Sequence, residues 1–285
     1  MTPSAKRLAV GMLTAEHGLP VSRACGALRL SRAAFYRPPA PPVLMDQPVI
    51  DALQAVVTDK PRWGFWKCYD RMRLLGHPWN HKRVHRVYCA LHLNLPRRTR
   101  RRLPARTVHP LAAPPALNET WALDFMTDTL YDGRRYRTLN ILDEGNREGL
   151  AIDVGMSLPS VRVISVLDEL ISLHGAPRSI RVDNGPELTS IALTRWCAQQ
   201  HIAIHYIQPG KPQQNAYIER FNRSYRTEVL DAYVFTSLQD VREVTAAWLV
   251  SYNTERPHNS LGRVPPLHFL PRPTATPESP IPLST

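Results

Sequence analysis

The sequence has no closely paired cysteines, no long apolar run, no internal repeat of fixed period and, over its first two fifths, very few acids. Each absence excludes something. The four cysteines, Cys25, Cys68, Cys89 and Cys197, contain no CxxC pair, which leaves neither a disulfide framework nor the common zinc modules. No stretch approaches the ~18 apolar residues of a membrane span, and the apolar part of residues 1–13 is too short for a secretory leader. Free thiols without a span or leader point to a reducing cytoplasm. Hydrophobic residues make up 43% of the 285, enough for a sizeable core, so wholesale disorder is excluded too.

The scarcity of acids is local. Residues 1–118 hold 20 Lys and Arg against five Asp and Glu, whereas residues 119–285 hold 16 against 19. The net charge of +12 is therefore a strongly basic segment followed by a slightly acidic one. Such asymmetry goes beyond what solubility requires and suggests an anion-binding module, nucleic acid being the commonest large polyanion in a cytoplasm. Prolines cluster at 38–42, 104–115, 257–266 and 271–282. They divide the chain into a helix-turn-helix-like segment (1–42), a second, basic helical unit (43–103) and a Pro-rich linker (104–118). A long central domain (119–253) and a C-terminal extension ending in a disordered tail (254–285) come next.

In the first segment helical patterns cover 6–17, 21–28 and 31–36, compatible with a helix-turn-helix or a plain three-helix bundle. In the second they cover 49–58, 65–75 and 81 to about 93, the last capped by Asn80. Lys82, Arg83 and Arg86 form a basic face suited to phosphates, opposite an apolar stripe of Val84, Val87, Tyr88 and Leu91. His81 and His85 stand four apart, but without a cysteine pair or acid at zinc-finger distance they read as polar or phosphate-facing. Arg97, Arg98, Arg100, Arg101 and Arg102 cannot enter a core. They suit an arm along a nucleic-acid backbone, with a solvated linker as the plainer alternative.

From Thr120 the pattern becomes β-rich. Strands are expected at 121–130, 136–143, 149–155, 179–182 and 203–207, and helices at 160–174, 189–201, about 215–230 and 237–253. This order predicts an α/β fold, a mixed five-stranded sheet with helices on both faces. Asp124 lies in the middle of the first strand, Asp183 ends the fourth, and Glu219 lies on the late helix. An acid within an apolar strand is costly to bury unless it is paired or bound to a cation. Three such acids with no Lys or Arg matched to them suggest a Mg²⁺ site able to activate an attacking oxygen and stabilise a leaving one. Asp128 is expected beside the site or exposed, and Asp143 and Asp153 are expected to be turn acids. Gln208, Lys211 and Asn215 fall in a loop that either contacts DNA and closes or is simply flexible.

Thirty-five residues separate Asp183 from Glu219, and the words WALDFMTD, RVDNGPE, QPGKPQQNAYIERFNRSYR and YNTERPHNSLG occur in that order. These features resemble the insertion sequence three family of bacterial DDE transposases, in its downstream-frame product, within the retroviral integrase superfamily. The resemblance runs from about residue 49 to 270. It implies an RNase H-like core, Asp124, Asp183 and Glu219 as ligands for two Mg²⁺ ions with Mn²⁺ as a substitute, and Arg226 and Lys211 at the DNA. It further implies DNA cleavage and strand transfer, DNA ends and target as partners, a homo-oligomer on DNA, and a cytoplasmic, nucleoid-associated bacterial protein. In the family an upstream-frame partner or a frameshift fusion supplies a leucine zipper, and no zipper heptads occur here. The competing readings are a catalytically inactive DNA-binding regulator and an RNase H-type nuclease.

Overall fold

The computed structural model describes residues 1–36, 42–96, 116–208 and 215–272. Lys211, the five arginines at 97–102 and most of the expected linker lie outside the described residues. The first helices, α1 (Pro3–Ala15), α2 (Val21–Ala27) and α3 (Arg32–Tyr36), share a small core of Val10, Ala24 and Cys25 backed by Phe35. Thr2 and Ser31 accept from backbone N–H groups three residues on, capping helices whose first N–H groups would otherwise lack partners.

Three more helices, α4 (Pro42–Asp59), α5 (Phe65–Leu74) and α6 (His81–Ala90), close on Val49, Leu53, Cys68, Met72, Val84 and Tyr88. Of the expected apolar stripe of α6, Val84, Val87 and Tyr88 are buried and Leu91 is half-buried just past the helix, and Asn80 caps the helix through Lys82 N–H at 2.8 Å. Helix α4 starts seven residues earlier than its apolar pattern suggested and contains Pro48. A proline there removes one helical hydrogen bond. The early turns are instead held by Asp46, buried against Arg83 (3.0 Å) and Arg86 (2.7 Å) of α6.

The core begins with β1 (Thr120–Thr129), β2 (Arg135–Asp143) and β3 (Gly149–Gly155), followed by α7 (Ser160–His174), β4 (Ser179–Val182), α8 (Ile191–Gln199) and β5 (Ala203–Tyr206). Helix α9 (Ala216–Tyr225) runs into a π-helical turn at Arg226–Leu230, and α10 (Leu238–Thr254) and the short α11 (Pro266–Phe269) complete the chain. The five strands lie in the order β3-β2-β1-β4-β5, with β1–β2 and β2–β3 antiparallel and β1–β4 and β4–β5 parallel. This is the mixed five-stranded sheet expected from the sequence. Gly133, at φ +87°, makes the turn between the first two strands.

Strand alternation sorts β1 between two layers. Trp121 and Leu123 join Leu139, Ile141 and Val182 under α7 and α8, where Trp196 donates to Asp168 at 2.9 Å. Ala122 points the other way, packing with Leu142 against Ile218 and Phe221 of α9 and Tyr252 of α10. Asp124, two residues on, shares the face of Ala122 and therefore looks toward α9.

The C-terminal extension does not start as a loose tail. Arg272, nearly buried, donates to Asp143 (2.6 Å), Glu148 (2.6 Å) and Asn118 (2.9 Å). Asp143 is the turn acid expected, accepting from Gly145 N–H two residues on at 2.8 Å, and it is in addition fully buried and accepts from Asn118 N–H. Asp153 instead holds Arg162 of α7 in a two-pronged ion pair. Helices α4–α6 dock on the C-terminal part of the core through Arg71–Glu255 (2.9 Å), Lys60–Glu255 (3.4 Å) and Arg263–Asp70 (3.3 Å).

Candidate active site

Parallel pairing of β1 with β4 sets Thr120 opposite Ser179, Trp121 opposite Ile180 and Ala122 opposite Arg181. That register, continued two residues past its last pair, brings Asp124 level with Asp183. Gly185 N–H donates to the Asp183 carboxylate at 3.0 Å, and Asn184 donates to Ile207 O at 3.0 Å, so the residues after β4 turn within hydrogen-bonded constraints. A Cβ on Gly185 would stand 3.0 Å from the Asp183 carboxylate, which is why the turn takes a glycine.

Glu219 lies in the first turn of α9, exposed, where the helix dipole favours an acid. Three residues on, Asn222 is buried on the same side of the helix, in the stripe of Ile218, Phe221 and Tyr225. Its amide donates to Asp124 at 2.7 Å and accepts from Asn140 at 2.7 Å, while Asn140 is the cross-strand partner of Asp124 on β2. Two amides and the Phe125 N–H (2.9 Å) thus fix the Asp124 carboxyl from strand and helix together. Sequence reasoning missed Asn140 and Asn222. Their signal was an amide at an otherwise apolar position of a strand and of a helix stripe.

The electrostatics are those of crowded acids. Asp124 is pushed up to about 6, by burial first and then by the charges of Asp183 and Glu219, against the bonds from Phe125 N–H and Asn222. None of the three carboxylates has an ion-pair partner among the described residues. Two arginines in neighbouring strands are committed elsewhere: Arg137 to Glu187, and Arg181 to Glu144 at 2.6 and 2.8 Å. Among the described residues no three metal-ligating side chains already close around one point. The three acids sense one another electrostatically without being drawn into a finished cage.

The remaining expected site residues divide. Arg226, two turns beyond Glu219, opens the π-helical turn and is held by Asp128 (3.0 Å) and Thr127 O (2.9 Å) of β1. Asp128 is thus the partner of that arginine. Asn215, expected in a loop, is buried at the head of α9 with its side-chain oxygen unpartnered among the described residues. On α6, Lys82 is exposed, whereas Arg83 and Arg86 face Asp46. His85 lies edge-on to Phe65, and its ring nitrogens stand 3.7 and 3.9 Å from the Cys89 Sγ; His81 packs near Trp66 and Tyr69.

Two models described as integrase core domain match residues 114–212 and 200–266. The insertion element IS476 uncharacterized 39.2 kDa protein of Xanthomonas euvesicatoria is 37% identical, covering 94% of this chain and 78% of that protein. The insertion element IS407 uncharacterized 31.7 kDa protein of Burkholderia multivorans is 35% identical, covering 90% of this chain and 93% of that protein. Among solved structures, the HTLV-2 integrase catalytic core domain in complex with magnesium matches at 21% identity and TM-score 0.39, covering 52% of this chain and 93% of that one. With the integrase core spanning both sides of Glu219 and relatives aligned over most of their length, the chain belongs to the insertion-sequence transposase family built on an integrase core.

Proposed function

We propose that this chain catalyses metal-dependent cleavage of DNA at the ends of a bacterial insertion sequence and transfer of the freed 3′ end to a target strand. The observation that carries the reading is the set of Asp124, Asp183 and Glu219, two acids on or at the end of adjacent inner strands of the sheet and one on α9, with no ion-pair partner among the described residues. That donor set fits a hard divalent ion such as Mg²⁺, with Mn²⁺ as a substitute and two ions in the active complex. Bound there, the metal would activate the attacking oxygen and offset charge on the leaving one. The chain's own residues do the rest. Asn222 and Asn140 hold Asp124 in one orientation, and the Asp183 turn presents its carboxylate beside it. Arg226 exchanges Asp128 for a phosphate of the bound strand.

Lys82 and the arginines at 97–102, with Lys211, supply further contacts to DNA ends and target, and several copies assemble on the DNA with or without an upstream-frame partner. Arg83 and Arg86 join only where DNA displaces Asp46. The second reading, a DNA-binding regulator without catalysis, is favoured by one observation: no three ligating side chains converge on a single point among the described residues. A strand-transfer assay with labelled element ends, in Mg²⁺ and in Mn²⁺, decides between them. Asp183→Asn is expected to abolish cleavage and joining while leaving DNA binding within about threefold. Joining by that variant at the wild-type rate would defeat the catalytic assignment, and inactive wild type under both metals would favour the regulator.

A further inference from the structure

A cleft of about 630 Å³ opens between helices α5 and α6 on one side and α9 with the end of α10 on the other. Its cations come from both sides, Lys67 from α5 and Arg220, Arg223 and Arg256 from the core, and no acid is among its lining residues. Glu228, the nearest carboxylate, is already held by Arg256 and by Trp248 Nε1 at 3.0 Å, with Lys67 at 3.9 Å. Arg220 and Arg223 are exposed and form no ion pair with any described residue.

Two further features suit an anionic ligand. His258 lines the cleft with its Nε2 buried and without a hydrogen-bond partner among the described residues. Burial, followed by the charges of Arg256, Lys67 and Arg220, holds that imidazole down to about 3, so it is neutral and does not add to the repulsion. Lys67 is pulled down to about 8 by burial and then by Arg256, which Glu228 offsets only in part. Trp66, 48% exposed, lines the cleft with the Arg263 guanidinium 5.0 Å from its ring centre, which a base would share or displace.

The geometry ties this cleft to the carboxylates. Glu219 and Arg223 are four apart on α9 and share a face; Arg220 lies next around the helix. A strand leaving the acids therefore meets Arg223 one turn along α9, about 5–6 Å from Glu219 between Cβ atoms, with Arg220 beside it. A cavity of this size suits a nucleotide-sized ligand and is too small for a duplex. We propose that the cleft is a single-strand site. It takes an unpaired nucleotide of the DNA strand whose scissile bond lies at the carboxylates, with Arg220 and Arg223 on its phosphate and Trp66 against its base. The identity of the strand rests on the function proposed above; the anion site rests on the cleft's own charge and unpartnered imidazole nitrogen.

The test uses the full chain, a short fluorescein-labelled single-stranded oligonucleotide and the matching duplex, read by fluorescence anisotropy over a salt series. The double variant Arg220→Glu, Arg223→Glu changes two exposed side chains outside any ion pair of the described residues, so its fold is expected to survive, checked by circular dichroism. It is expected to weaken single-strand binding at least tenfold and to lower the salt slope by about 1.4, two lost phosphate contacts, with duplex binding changed less than threefold. Trp66→Ala is expected to weaken single-strand binding about tenfold through lost stacking. Equal losses for both DNAs, no loss, or displacement of the oligonucleotide by inorganic phosphate at matched phosphate concentration would overturn the proposal. Asp183→Asn separates the two claims. If it still joins DNA while the arginine variant loses the single strand, the catalytic reading fails and the cleft stands; the converse sinks the cleft alone.

Discussion

Replacing Arg272 by Ala removes one guanidinium and leaves two acids, Asp143 and Glu148, without their cation in a place where neither is more than 8% exposed. Removing one partner of a buried ion pair costs about 3–5 kcal/mol. Asp143 keeps the Asn118 and Gly145 N–H bonds, at 2.9 and 2.8 Å, which places the expected loss near the lower end, ~3 kcal/mol. Against a usual total of about 5–15 kcal/mol this is a large fraction. In urea it moves the unfolding midpoint of the core down by about 1–3 M, followed through the indole N–H resonance of Trp121, which donates to Asn118 beside the network. His174 gives a second readout. Burial and then the charge of Arg272 hold it below its usual value, while Glu148 and Asp143 pull it up. Because its native value is depressed, the unfolded chain binds more protons just below pH 6.5, and stability rises with pH through that window. In Arg272→Ala the His174 value rises and that slope shrinks or reverses. A midpoint within about 0.3 M of wild type, with His174 unmoved, would refute the reasoning. Arg272→Leu combined with Asp143→Asn and Glu148→Gln should recover part of the loss, since no buried charge is then stranded.

Asn222→Ala deletes a bond to a half-buried carboxylate, worth about 1.5–3 kcal/mol, and strands the Asn140 amide. The acid limb of the cleavage pH profile is expected to move to higher pH, because the Asn222 bond lowers the Asp124 value; an unmoved limb would show that Asn222 does not act on Asp124. At Gly145 an added Cβ would lie 2.0 Å from Ala116 O, a backbone atom, so Gly145→Ala should cost about 1–3 kcal/mol or more in urea unfolding. Lys67 is depressed to about 8 in the fold against 10.5 in the open chain, so the unfolded state binds more protons between those values and stability climbs with pH across them. Lys67→Met should flatten that climb in midpoints measured from about pH 7 to 10.5, and an unchanged slope would assign it to another group.

Much of the core was legible because its signals are local. The strand at Gly149–Gly155, the helix at Ser160–His174 and the strand at Ser179–Val182 match their expected bounds. There, alternation, a three-to-four repeat and the Gly175 stop act within a few residues. The hidden parts depend on partners far away in sequence. Asp143 could be read as a turn acid from its own neighbourhood, but not as a buried, ion-paired one, because its partner Arg272 lies 129 positions downstream. The start of α4 was hidden because Asp46 is fixed by arginines two helices later. Asp124 and Asp183 could be read as candidates from strand position, but the amide chain from Asn140 through Asn222 required the sheet register and the helix placement together.

The π-helical turn at Arg226–Leu230 has a consequence for how the chain tolerates change. Such a turn holds one residue more than an α-helical turn, so it offsets the angular phase of the helix upstream from that of the residues downstream. Upstream, α9 is locked by Phe221 and Tyr225, and downstream Val229 and Leu230 seat among Leu130, Tyr136 and Val241. A one-residue change in length elsewhere in this helix would rotate Glu219 away from Asp124 or unseat the downstream pair. Within the turn it can be absorbed as a switch between two helical windings, which makes this short segment the place where the helix behind the carboxylates can gain or lose a residue while its two anchored ends keep their neighbours.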